Sequence, residues 1–123
     1  MTSSSFTPAH HGIDYIEITV RDVSAAKAFY HAAFGWSFND YGPDYAGIVG
    51  AEREQGGLCK GTPFVGAGAG PLVILYSHDL EASQNAVRTA GGAVHKEIFA
   101  FPGGRRFEFT DPSGNALGVW SQL

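Results

Sequence analysis

Hydrophobic and polar positions change period along this chain in a set order. Over residues 13 to 20, Ile-Asp-Tyr-Ile-Glu-Ile-Thr-Val, they alternate. Ile16, Ile18 and Val20 take one face and Tyr15, Glu17 and Thr19 the other, which is the pattern of a half-buried strand. The period then lengthens. Val23, Ala26, Phe29, Tyr30 and Ala33 make an apolar stripe at helical spacing, with Asp22 placed as N-cap and Gly35 as terminator. Short runs at Trp36 to Phe38, Tyr45 to Val49 and around Leu58 follow, separated by Tyr41-Gly-Pro-Asp44 and Gln55-Gly-Gly57, and predict three more strands.

The second half repeats this order. Leu72 to Tyr76 is an apolar run, Asp79 stands as N-cap, and Leu80, Ser83, Val87 and Ala90 lead to Gly91-Gly92. From Asp22 to Gly35 is 13 positions and from Asp79 to Gly92 is 13, so Val23 aligns with Leu80 and Ala33 with Ala90 at an offset of 57. Strands are then expected at 93 to 95, 98 to 101, 106 to 110 and 116 to 120, so the chain reads as βαβββ twice. Module one covers about 13 to 60, a Gly/Ala-rich linker about 61 to 70, and module two about 71 to 123, within one α+β domain. Each module covers one face of its sheet with its helix, so the two uncovered faces together form a cup-shaped sheet. Tyr15, Glu17 and Thr19 then face the cup, where a ligand is expected.

Composition narrows the possibilities. At 123 residues, 44% hydrophobic and 16% charged, the chain folds and buries a core without help from metals or disulfides. Eight Lys and Arg against 12 Asp and Glu leave a net charge of −4, which offers no footprint for nucleic acid or an acidic membrane. The lone Cys59 forms no internal disulfide and is read as a small buried residue. With no signal-like start and no long apolar stretch, the expectation is a soluble, cytoplasmic protein whose first eight or so residues form a loose arm.

Three segments carry a family likeness: Ile16-Glu-Ile-Thr-Val-Arg-Asp22 leading into Ala28-Phe-Tyr30, then Phe34-Gly-Trp36, and Asp111-Pro-Ser-Gly-Asn115 before Leu117-Gly-Val-Trp120. In this order and with the duplication, the chain resembles the vicinal oxygen chelate superfamily, which includes glyoxalase I, bleomycin-resistance proteins and extradiol dioxygenases. The resemblance implies the paired βαβββ fold and dimerisation. It does not select a chemistry, because lyases, dioxygenases and drug-binding proteins share this scaffold. Metal-dependent members place His or Glu at cup-facing positions, which the resemblance carries onto Tyr15, a position near Leu72, and Gly118, with a fourth left unassigned within 45 to 60. Tyr15, Leu72 and Gly118 are not ligands for such a site, so neither metal nor cofactor is expected.

The expected function is therefore binding of a small, partly apolar molecule in the cup, by Tyr15, Thr19, Ile74, Tyr76 and Trp120. Aromatic residues on strands also serve simply as packing. Glu17 is the candidate catalytic residue if the protein is a glyoxalase-type lyase or isomerase, abstracting a proton beside a carbonyl. Arg105, Arg106 or backbone N–H groups would then stabilise the enolate; alternatively Glu17 faces water or pairs with one of those arginines. A third possibility is a drug-sequestering protein built as a homodimer. The five histidines are read as solvated surface residues. Gly66-Ala-Gly68-Ala-Gly70 lacks the spacing of a phosphate loop. Asp111-Pro-Ser-Gly-Asn115 is read as a structural turn.

Overall fold

A computed structural model of the chain describes residues 7 to 63 and 65 to 123, so the expected N-terminal arm falls largely outside the described residues. The elements run β1 (Ile16–Val20), α1 (Val23–Phe34), β2 (Phe38–Asp40), β3 (Tyr45–Val49) and β4 (Glu54–Lys60). The same series recurs as β5 (Val73–Tyr76), α2 (Leu80–Ala90), β6 (Ala93–Phe101), β7 (Gly104–Thr110) and β8 (Ala116–Ser121). The two sheets have the equivalent orders β1-β4-β3-β2 and β5-β8-β7-β6. In each, the first strand pairs parallel with the last and the remaining pairs are antiparallel. The result is an open, curved sheet system of βαβββ modules, the fold expected from the repeat.

Both helices start and stop for the same local reasons. Asp22 and Asp79 sit in extended backbone and accept from the amides of Ala25 and Ala82 at 3.0 and 3.1 Å. Each such cap stabilises its helix by about 0.5–2 kcal/mol. Gly35 and Gly91 end the helices in the left-handed region, with φ of 74° and 104°. The second terminator is thus Gly91 and not Gly92, which has a different task. A Cβ on Gly92 would lie 2.8 Å from Val87 and 2.9 Å from the Phe29 ring, so its bareness lets α1 approach module two.

That approach gives the modules a common core. α1 packs on α2, and the Phe29 and Phe34 rings lie 6.1 and 5.6 Å from that of Phe109 on β7. Val20, Tyr30, Leu58, Phe107 and Phe109 are fully buried. The turn after β7 joins the halves further. Asn115 donates to the Thr19 carbonyl at 2.8 Å, and the Arg21 amide donates to Ser113 Oγ at 3.0 Å. Asp111 carries the structural role expected of it, buried and accepting from the Tyr30 hydroxyl at 2.8 Å.

Element edges differ from the sequence pattern where side chains have other partners. The first strand begins at Ile16, because Asp14 just before it is ion-paired with Arg53 at 2.7 Å. Strand β2 begins at Phe38, because Trp36 stacks on Tyr30 with centroids 4.6 Å apart. Residues 93 to 101 form one strand instead of two, its pairing with β7 interrupted by two register shifts. Among the described residues, no helix is long and apolar enough to cross a membrane.

Candidate functional site

On β1, Ile18 and Val20 point into the core, which leaves Glu17 and Thr19 on the concave face. Their partners on β4 are Gly57 and Cys59, and Tyr45 and Gly47 continue the same face on β3. Tyr45 lies flat over Gly57, where a Cβ would sit 2.0 Å from its hydroxyl oxygen, and donates to Glu17 at 3.0 Å. The Tyr15 and Tyr45 hydroxyls are 2.6 Å apart, and Tyr15 also reaches Glu54 at 3.4 Å. Tyr41 and Asn39 complete the group by donating to the other Glu54 oxygen. Two carboxylates are therefore joined through phenols across a glycine floor.

Tyr45 and Glu54 were not among the residues singled out from sequence. For Glu54 the reason is a register shift: Ile48 pairs with Gly56 but Val49 with Glu54, which leaves Gln55 as an extra residue. Strict alternation groups Glu54 with core-facing Leu58, whereas the bulge turns it to the concave side. Its carboxyl is held below the usual carboxylate range, first by the Tyr41 hydroxyl, then by the Asn39 amide, with Tyr15 adding to both. The Tyr45 phenol is pushed above its ordinary value by burial and then by Tyr15 and Glu17.

A depressed carboxylate stabilises the fold above the unfolded-state value, about 4.3 for Glu, and loses that contribution as pH falls through the folded-state value. Glu54→Gln is therefore less stable than the parent at neutral pH, and the difference closes in acid. Denaturant titrations of both proteins from neutral to acid pH check this; a difference independent of pH contradicts it.

Module two presents a different face. Val73 and Leu75 pack on the core, which leaves Ile74 and Tyr76 on the concave side, paired with Gly118 and Trp120. A Cβ on Gly118 would lie 3.5 Å from Ile74 and 3.8 Å from Leu72. Tyr76 and Trp120 meet edge to face at 5.0 Å, and Phe101 lies 6.3 Å from Trp120. Next on this face come Arg106, opposite Trp120 and Phe99, and Glu108, opposite Gly118. Arg106 Nη2 donates to Glu108 at 2.9 Å, while Arg105 is tied to Glu81 at 2.6 Å.

The sequence-derived residues thus fall into two groups. Tyr15 and Glu17 join through Tyr45, with Thr19 beside the Cys59 thiol at 3.6 Å; Tyr76 and Trp120 join directly, with Ile74 over Gly118. Among the described residues, no hydrogen bond or ring contact links one group to the other. Glu17 and Thr19 share a cavity of about 180 Å³ with Leu72 and Val73, whereas Tyr76 lines a second cavity with Leu75 and Trp36. Two expectations are corrected. Glu17 is bonded to Tyr45 and not to Arg105 or Arg106. Cys59 is only half-buried, because it lies on the concave face. His95 is exposed, as expected, and stands 3.6 Å from Glu108, in the region where β6 shifts register.

The residues at the positions of the superfamily's metal ligands can be tested directly. Tyr15 is bonded to Tyr45 and Glu54, and Leu72 and Gly118 carry no donor atom. The one carboxylate that the β4 segment adds, Glu54, is occupied by Tyr41 and Asn39. This donor set does not fit a divalent metal. Among the described residues, no three His, Cys, Asp or Glu side chains converge as a metal site requires.

Comparison with known proteins agrees with the fold. A family model described as Glyoxalase/Bleomycin resistance protein/Dioxygenase superfamily matches residues 12–119. The chain is 30% identical over 115 residues to "Putative glyoxylase CFP32" of Mycobacterium bovis, covering 87% of this chain and 44% of that protein. It is 27% identical over 124 residues to the anthracycline biosynthesis protein DauV of Streptomyces sp. strain C5, covering 97% of this chain and 44% of that protein. The chain thus spans about half the length of these relatives. A glyoxalase-related enzyme from Fulvimarina pelagi shares the fold with a TM-score of 0.75 at 15% identity, over 91% of this chain and 88% of its own. A family enzyme from Burkholderia phytofirmans PsJN does so with a TM-score of 0.74 at 18% identity, over 90% and 98%.

Proposed function

Because the chain belongs to the Glyoxalase/Bleomycin resistance protein/Dioxygenase superfamily, we propose that it binds a flat, partly apolar small molecule in its cup, without the metal that some members use. The observation that carries this reading is the aromatic wall of module two. Tyr76 and Trp120 stand at 76° to one another, so a planar ligand that stacks on one ring meets the edge of the other. Tyr76 is exposed and Trp120 half-buried, which leaves both in reach of a ligand. The relative named for anthracycline biosynthesis supports a polycyclic aromatic ligand class.

Binding without turnover is favoured over a lyase or isomerase based on Glu17. Stabilising an enolate needs a free electrophile. Of the two arginines considered for that task, Arg105 is held by Glu81, and Arg106 stands opposite Trp120 on module two, with no hydrogen bond joining it to Glu17 among the described residues. A drug-sequestering homodimer is one form that binding without turnover would take.

The test is calorimetry with 2-naphthamide and its fully saturated decahydro counterpart, a neutral pair matched in outline and differing in planarity. The flat compound is expected to bind at least about tenfold tighter, the difference that one good aromatic contact provides. Equal affinities, or no binding by either, would overturn the proposal.

A further inference from the structure

Resting on that reading, we infer that the ligand carries a carboxylate beside its flat ring system, and that Arg106 and Lys96 on module two form the subsite that receives it. Strand alternation sets Arg106 directly opposite Trp120, so a guanidinium lies next to the aromatic wall. Its carbon is 5.5 Å from the centroid of Phe99 and 6.0 Å from that of Phe101, within the range of cation–π attraction. Lys96 Nζ lies 4.5 Å from the Phe99 centroid and adds a second cation.

The hydrogen bonding of Arg106 is incomplete. Glu108 accepts from Nη2, whereas Nε is buried with no partner. Nη1 has no protein acceptor among the described residues, and the side chain keeps 30% of its surface exposed. A guanidinium is built to hold a carboxylate at two points, and here its outer edge is open to do so. Relief of the orphaned Nε follows if Glu108 slides toward it as the ligand arrives.

Local charge favours an anion in spite of the protein's overall −4. Glu108 is the carboxylate facing this group; it is 12% exposed and already shared between Arg106 and His95. Arg106 and Lys96 therefore leave an excess of positive charge. Module one carries Glu17 and Glu54 on its concave face, so the acidic end of a ligand is repelled there and drawn to module two.

The test compares 2-naphthoate with 2-naphthamide by calorimetry at neutral pH and low salt, on the parent protein, Arg106→Gln, Arg106→Lys and Lys96→Gln. The parent is expected to prefer the acid by about tenfold or more, as a charge-assisted two-point bond supplies. Arg106→Gln should abolish the preference while amide affinity stays within about twofold. Arg106→Lys, which keeps charge but loses the fork, should retain part of it. Equal binding of acid and amide to the parent, or a preference that survives Arg106→Gln, overturns the subsite and leaves the aromatic cup standing, and a preference unchanged by Lys96→Gln removes Lys96 from it. Failure of both probes to bind overturns the cup reading itself.

Discussion

Asp111→Ala is expected to lower the unfolding free energy by about 3–4 kcal/mol, the largest stability loss of any single side chain considered. Asp111 is 4% exposed and its carboxylate accepts four hydrogen bonds. Oδ1 takes the amides of Ser113 and Asn115, both at 2.9 Å; Oδ2 takes the Tyr30 hydroxyl at 2.8 Å and the Asn115 side chain at 3.1 Å. Truncation strands these donors away from water, at about 1–3 kcal/mol for each that finds no substitute. It also loosens the turn whose Ser113 and Asn115 reach across to Arg21 and Thr19, so the damage falls on the junction of the two modules.

Asp111→Asn should cost less, because Oδ1 survives while the new amide opposes the Asn115 donor. Tyr30→Phe removes one of the four bonds and should cost about 1 kcal/mol. Denaturant unfolding of the three variants checks the series. A loss under 1 kcal/mol for Asp111→Ala would contradict the role given to this turn.

The second large effect is on binding. Trp120→Ala is expected to weaken a planar aromatic probe such as 2-naphthamide by about 10- to 100-fold, since buried tryptophan contacts dominate many binding sites. Trp120→Phe keeps a flat apolar surface and should lose only a few-fold. Trp36 supplies the comparison: it stacks on Tyr30 and shares a cavity with Leu75 and Tyr76, but makes no ring contact with Trp120 among the described residues. Trp36→Phe should leave affinity unchanged. Unaltered affinity in Trp120→Ala, measured by calorimetry on folded protein, removes the aromatic wall from the account.

Much of the architecture is written in short-range signals. Asp caps, glycine terminators and the switch from period two to period 3.6 placed both helices and most strands, because each depends on a few neighbouring residues. Half of the candidate site was legible in the same way: Glu17, Thr19, Ile74 and Trp120 fall on the concave face by simple alternation. What alternation does not carry is a bulge. The extra residue Gln55 reverses the side that Glu54 takes, and the shifts in β6 bring His95 to Glu108. Nor does sequence show which aromatic lies over a glycine. Tyr45 reaches Glu17 only because Gly57 has no side chain, a fact that depends on the pairing of β3 with β4. The two neighbouring arginines were equivalent on paper, and strand register separates them, sending Arg105 to Glu81 and Arg106 to the concave face.

The central claim is that a flat ligand sits against Trp120. The chain has two tryptophans, so a proton–nitrogen correlation spectrum of labelled protein contains two indole N–H signals, assignable with Trp36→Phe. Titration with 2-naphthamide should move the Trp120 signal saturably and by clearly more than that of Trp36, which meets the site only through Tyr76. A Trp120 signal that stays fixed while the probe binds, or a shift confined to Trp36, would put the ligand elsewhere and contradict the account.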